Sequence, residues 1–160
     1  MKFYRRSSAF IGGCIGFFRR SSALICGCVG ICLNASAAVT ATEAWVRGTV
    51  PAQTATGAFV TLQSSEPAKL VGVASTAAKT AQIHSSEHKD GVMQMREVDS
   101  LALPAGKRVE LKPGGYHVML IGLQRALAPG ERVPLVFTIE DGSGRRTTLE
   151  VKAVVRPLGQ

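Results

Sequence analysis

Beyond residue 38, short apolar or alternating runs are separated by clusters of Gly, Pro, Asp and Ser. Runs of this length between turn residues are typical of strands in antiparallel sheets. No stretch shows a convincing 3.6-residue repeat of an amphipathic helix. About nine strands are predicted, over 43–47, 58–63, 69–75, 80–85, 92–98, 108–111, 116–123, 133–140 and 147–155. Their spacing predicts an all-β fold, a Greek-key β-sandwich.

Two of the predicted strands carry pairs of side chains that can bind a metal. Residues two apart in a strand face the same side, with Cα atoms roughly 6.6–7 Å apart. Met93 and Met95 therefore project together from one strand, and His117 and Met119 project together from another. The second of these strands is almost continuously apolar, so we expect it to be a central strand that is buried on both faces.

The first 38 residues differ in composition from the rest of the chain. They contain five basic residues and no acidic ones, an apolar run at 23–33, and the small residues Ala-Ser-Ala-Ala at 35–38. A basic head, an apolar middle and a small-residue exit predict a secretory signal peptide. We predict cleavage near Ala37/Ala38, which leaves one domain over 39–160.

This leader is internally duplicated, because RRSSAFIGGCIGFF at 5–18 matches RRSSALICGCVGIC at 19–32. Two alternatives to cleavage stay open. One is an uncleaved anchor, although the apolar run is shorter than the roughly 20 residues that span a bilayer. The other is lipidation at Cys28. Cleavage is the prediction, and it implies a periplasmic protein without stable membrane insertion.

Removal of the leader changes the composition of what remains. The formal charge falls from +8 to +3, with 14 basic and 11 acidic residues left. The high content of basic residues therefore gives no argument for nucleic-acid binding. All four cysteines leave with the leader, so the mature domain has no disulfide framework. They are Cys14, Cys26, Cys28 and Cys32.

Histidine and methionine are confined to one segment of the mature chain. All three histidines, and every methionine apart from Met1, lie within residues 84–119. Thioether sulfur beside imidazole is a ligand set that suits copper(I). Thioethers cannot form disulfides, which favours them over thiols in an exported protein. The lack of cysteine argues against a blue-copper electron-transfer site, because such a site needs a thiolate ligand.

The spacing of these residues matches a known motif. His84 is followed after ten residues by Met95, then after twenty-one by His117, and after one more by Met119. The surrounding sequences GVMQMREV, LPAGKRVELKPGGYHVMLIGL and LAPGERVPLVFTIEDG match as well, as does Trp45-Val-Arg near the start of the domain. The chain thus resembles the PCu(A)C-type periplasmic copper chaperones over nearly the whole mature domain.

This resemblance implies a cupredoxin-like β-sandwich that binds copper(I). The implied ligands are His84, Met95, His117 and Met119. It also implies a metallochaperone that passes copper to an acceptor protein. That acceptor would be a cytochrome c oxidase subunit, during assembly of its copper centre, or another copper chaperone.

The chain departs from the family pattern after the first histidine. Many members have further methionines there, whereas this chain has Ser86 and His88. His88 is either an additional nitrogen ligand or a solvated histidine. Met93 is a second accessory candidate, since geometry alone does not choose between Met93 and Met95. The family spacing chooses Met95.

The sequence also bears on other classes of function. We do not expect an enzyme and assign no catalytic residue, because the mature chain has no cysteine and no local serine nucleophile motif. A structural or adhesion β-sandwich of the envelope, with a coincidental group of His and Met residues, stays open as an alternative. A copper buffer or scavenger is another, since the sequence does not distinguish delivery from storage.

Overall fold

The computed structural model describes residues 38–89 and 92–158, apart from the side chains at 88 and 89. The predicted signal peptide, with Cys28 and the cleavage site at Ala37, therefore lies outside the described residues. Strands and turns make up the described part of the chain, and none of it forms a helix that could span a membrane.

Ten strands form the domain. They are β1 (Val39–Arg47), β2 (Ala55–Ser64), β3 (Ala68–Ser75), β4 (Ala78–Lys89), β5 (Val92–Glu97), β6 (Leu101–Leu103), β7 (Arg108–Leu111), β8 (Tyr116–Leu123), β9 (Arg132–Asp141) and β10 (Arg146–Arg156).

The strands are hydrogen-bonded in the order β5-β4-β8-β2-β1-β10-β9-β3-β6, and β7 pairs with the far end of β2. The β1–β10 pair is parallel, with Trp45 beside Val154, and the other paired strands are antiparallel. Because β3 packs against β4 without pairing with it, the sheet folds over on itself. The prediction of an all-β sandwich is confirmed.

The core lies between the two halves of the folded sheet. Alternate residues of β2, β8 and β9 face inward, because side chains in a strand alternate between the two faces. Leu62, Leu120 and Phe137 are fully buried there. Burial of each such side chain stabilises the fold by about 1.5–3 kcal/mol. The opposite face of β4 and β8 is left free for polar and sulfur-bearing side chains.

The structure corrects the predicted strands in two respects. The domain has ten strands in place of nine, because residues 101–103 pair with β3 and bury Leu101 and Leu103. Three residues are too few for alternation to be recognised in a sequence. In addition, β1 already begins at Val39 and β4 continues to Lys89. The longer β4 extends the strand beyond His84 towards β5.

β8 is central, between β4 and β2, but the prediction that it is buried on both faces is wrong. Val118 and Leu120 face the core and are fully buried. On the outer face Met119 is partly exposed and Ile121 is exposed. Within residues 38–89 and 92–158 no second layer covers this outer face, which carries the candidate metal ligands.

Candidate metal centre

Two of the predicted ligands lie opposite each other on neighbouring strands. His84 of β4 and His117 of β8 are partners in the antiparallel ladder. Directly paired residues project from the same face of a sheet. The two imidazole rings accordingly lie close together, with centroids 5.9 Å apart and a tilt of 58°.

The methionines extend this arrangement on the same face. Met119 lies two residues beyond His117 and is flanked by Gln82 on β4 and Gly57 on β2. Met95 of β5 pairs with Ser86, which lies two residues after His84. The register of three strands thus places the four residues implied by the family spacing on one outer face.

A cleft of about 250 Å³ opens on this face. Three thioethers and one imidazole line it, together with Arg47 of β1 and the buried Ser86. The sulfur and imidazole groups belong to Met93, Met95, Met119 and His117. His84 is next to His117 but is not part of the lining, and its Nδ1 atom is buried.

His117 has one ring nitrogen committed to a hydrogen bond. Its Nδ1 lies 3.1 Å from the carbonyl oxygen of Gly115, which can only accept, so Nδ1 carries the proton. A neutral imidazole then has its lone pair on Nε2. The ring is 6 % exposed, so its orientation is fixed by packing as well as by this bond.

His84 has the opposite arrangement. Its Nε2 lies 3.3 Å from Oε1 of Gln82, while Nδ1 is buried and has no hydrogen-bond partner among the described residues. An unpaired buried polar atom costs about 1–3 kcal/mol. A metal ion bound to Nδ1 would supply the missing partner. The donor set of two neutral imidazoles and nearby thioethers therefore fits a soft metal ion.

Met93 and Met95 lie on the strand at one end of the sheet order. Their side chains are 48 % and 54 % exposed, and both line the cleft. The structure therefore does not show which of the two methionines is the ligand, and the alternation of side chains along the strand does not show it either. The backbone of His88 pairs with Met93, but the side chain of His88 is outside the described part of the protein. A role for His88 stays a prediction.

Aromatic residues next to the cleft escaped the sequence reasoning. Phe59 is only 4 % exposed but lies outside the main core cluster. The centroid of its ring lies 4.3 Å from that of Trp45 and 6.4 Å from that of His117. The Arg47 guanidinium lies 5.8 Å from its centroid. In the sequence, only the Trp45-Val-Arg stretch pointed to this aromatic group. The contact of Phe59 with His117 could not be predicted, because it depends on strand register.

Gly57 leaves space for the Phe59 ring. A Cβ at position 57 would lie 3.0 Å from Cζ of Phe59, which is tighter than an ordinary contact. Gly57 also pairs with Met119. The missing side chain therefore lets the Phe59 ring extend along β2 beside the methionine.

Fold and site together define a β-sandwich with a candidate soft-metal centre on the outer face of one half-sheet. The family model described as “Putative lipoprotein LpqE-like” matches residues 39–154, and the chain belongs to this LpqE-like family. A protein of Leifsonia xyli subsp. xyli described as “Putative lipoprotein Lxx21020” is 35 % identical over 112 residues, covering 69 % of this chain and 68 % of that protein. The sequence resemblance to the PCu(A)C type is confirmed.

Solved structures agree with this family. The copper(I) form of DR1885 from Deinococcus radiodurans is 35 % identical, with a TM-score of 0.57, over 74 % of this chain and 78 % of that one. Its apo form is 30 % identical, with a TM-score of 0.54, over 94 % and 97 %. A copper-bound PCuAC domain from PmoF2 shares the fold at 21 % identity, with a TM-score of 0.59, over 77 % and 97 %. The expected cupredoxin-like fold is confirmed.

Proposed function

We propose that this protein binds one copper(I) ion as cargo, through His84, Met95, His117 and Met119, and carries it to an acceptor protein. The observation that carries the proposal is the pair of imidazoles beside a methionine-lined cleft. One imidazole has a buried nitrogen without a hydrogen-bond partner in the described structure. The copper-bound relatives support the choice of metal.

The charge of the site favours copper(I) over divalent ions. Two neutral imidazoles and two thioethers contribute no negative charge, and the Arg47 guanidinium lines the same cleft. A doubly charged ion would meet more repulsion there than a singly charged one. Thioethers also prefer soft ions such as copper(I).

Accessibility favours a carrier over a store. About half of the Met95 side chain is exposed, so an incoming ligand from another protein can reach the ion beside it. Transfer of a deeply buried ion to another protein would require the fold to open first. We infer delivery to a copper site in the cell envelope, such as that of a cytochrome c oxidase subunit, or to another copper chaperone. Copper binding requires no catalytic residue.

A titration tests the binding. The leaderless protein is titrated with copper(I) under anaerobic conditions against a competing colorimetric chelator, and with zinc(II) in parallel. We expect one equivalent of copper(I) to be retained and zinc(II) to bind far more weakly. A protein that surrenders all of its copper(I) to the chelator would leave the structural or adhesion sandwich as the better explanation.

A second measurement separates delivery from buffering. The copper-loaded protein is mixed with the copper-free soluble domain of a cytochrome c oxidase subunit, and native mass spectrometry follows the metal on both proteins. Transfer within minutes, faster than release to the chelator alone, supports a carrier. Retention of copper beside a competent acceptor would favour a buffer or scavenger.

A further inference from the structure

We propose that Gln82 is a positioning residue that selects the tautomer of His84, so that copper is held by Nδ1 of His84 and by Nε2 of His117. This inference rests on the proposed function for its copper-binding part. The tautomer itself is a property of the apo protein and can be tested without metal.

Gln82 is placed by the sheet to contact His84. It lies two residues earlier on β4 and therefore on the same outer face, opposite Met119 of β8. Its Oε1 lies 3.3 Å from Nε2 of His84. Both side chains are half-buried, which limits competition from water for this hydrogen bond.

The chemistry of the amide oxygen decides where the proton lies. A neutral imidazole has one N–H and one lone pair, and an amide oxygen can only accept a hydrogen bond. Pairing with Oε1 therefore puts the proton on Nε2 and the lone pair on Nδ1. In the other tautomer the Gln82 amide would have to turn over to donate from its NH2 group, and the buried Nδ1–H would have no acceptor among the described residues. Nδ1 is buried and has no partner in the described part of the chain, so its lone pair can bind a metal.

The two imidazoles are thus fixed by different means. His117 donates from Nδ1 to a backbone carbonyl, which no side-chain substitution removes. His84 donates from Nε2 to a side chain, which one substitution can remove. Hydrogen bonds from the second ring nitrogen commonly orient metal-binding histidines and raise their basicity, and losing one typically costs 10–100-fold in metal affinity.

The test uses ¹⁵N-histidine-labelled protein and two-bond ¹H–¹⁵N spectra of the apo and copper(I) forms. In the apo protein we expect His84 to be protonated on Nε2 and His117 on Nδ1. Copper(I) should then shift Nδ1 of His84 and Nε2 of His117. Gln82→Leu should scramble the His84 tautomers and lower copper(I) affinity at least about tenfold.

Two further variants separate positioning from a merely structural role. Gln82→Glu keeps an acceptor at the same place and should retain both the Nε2–H tautomer and most of the affinity. Gln94→Leu removes a glutamine from the opposite face of the same hairpin, where Gln94 pairs with Glu87, and should change neither. Thermal unfolding is recorded for all three variants.

The outcomes are distinguishable. An apo spectrum with His84 protonated on Nδ1 overturns the inference while leaving copper binding intact. A Gln82→Leu protein with wild-type tautomers and wild-type affinity overturns it as well. If the apo tautomers are as expected but the wild-type protein retains no copper(I), the proposed function fails, and the metal-binding half of this inference fails with it.

Discussion

Leucine matches methionine in size and hydrophobicity but lacks the sulfur that binds copper. We therefore expect Met95→Leu and Met119→Leu each to lower copper(I) affinity at least about tenfold. A loss of this size is typical even when the substituted residue only hydrogen-bonds to a metal ligand. Each should lower the free energy of unfolding by less than about 1.5 kcal/mol, since the swap nearly conserves volume. Chelator competition and thermal unfolding on the same samples measure both quantities.

Two variants serve as controls for this ligand assignment. Met93→Leu changes the other exposed methionine of β5, and His88→Ala changes the histidine at the position where the chain departs from the family. We expect both to keep copper(I) affinity close to the wild-type value. Equal losses from Met93→Leu and Met95→Leu, at unchanged stability, would show that the family spacing chose the wrong thioether.

At the level of secondary-structure elements, the turn between β9 and β10 is held by one carboxylate. Asp141 accepts hydrogen bonds from the Ser143 hydroxyl and from the backbone N–H groups of Ser143 and Arg145, and it pairs with the Arg145 guanidinium. These interactions, the Ser143 hydroxyl first, lower the pKa of Asp141 from 3.8 to about 2. They favour the charged carboxylate in the folded state.

The lowered pKa predicts how stability depends on acid. The stabilisation is fully present above the unfolded-state pKa of 3.8 and is lost as the pH falls towards about 2. Asp141→Asn should therefore be less stable than wild type at pH 5, with the difference shrinking by pH 2.5. Urea unfolding at both pH values measures this. Asp99→Asn, in the exposed link after β5, is measured in parallel as the control.

The positions of most strands could be predicted from the sequence, but the exposure of a strand face could not. Alternation and turn residues predicted most strands, including the β9–β10 hairpin, because side-chain period and turn chemistry are local properties. The prediction that β8 is buried on both faces is wrong because Met119 and Ile121 are apolar, and their exposure depends on whether another layer covers them. Apolar character is visible in a sequence, but the covering layer is not.

The candidate site was predictable only in part, for a related reason. The residue types and spacing indicated His84 and His117, and the family resemblance chose among the methionines. Gln82 and Phe59 were missed, because their contacts with the histidines arise from strand register and from ring orientation. Neither residue belongs to a type that by itself indicates metal binding.

For the whole molecule, the site and the core lie on opposite faces of the same half-sheet. The buried core residues of β2, β8 and β9 form a cluster that includes none of the predicted metal ligands. The core is therefore built apart from the predicted metal ligands, in contrast to small domains that fold only around a metal.

The start of the domain leads to a prediction about the mature protein. Ala38 already exchanges hydrogen bonds with Ser65, and β1 begins at Val39. Cleavage near Ala37/Ala38 would leave the whole sheet intact. We expect intact-mass spectrometry of protein from the cell envelope to find Ala38 or Val39 as the first residue. A mass that includes Cys28 and an acyl chain would instead show a lipoprotein, as the names of the family and its relative describe.

The parallel pairing of β1 with β10 has a consequence for how the chain is made. The first strand lies between β2 and the last strand, so β1 can complete its hydrogen bonds only after the C-terminal residues have been synthesised. Closing so long a loop is slow compared with forming local hairpins. Until β10 has left the ribosome, β1 consequently lacks one of its two partner strands, and the sheet stays incompletely paired.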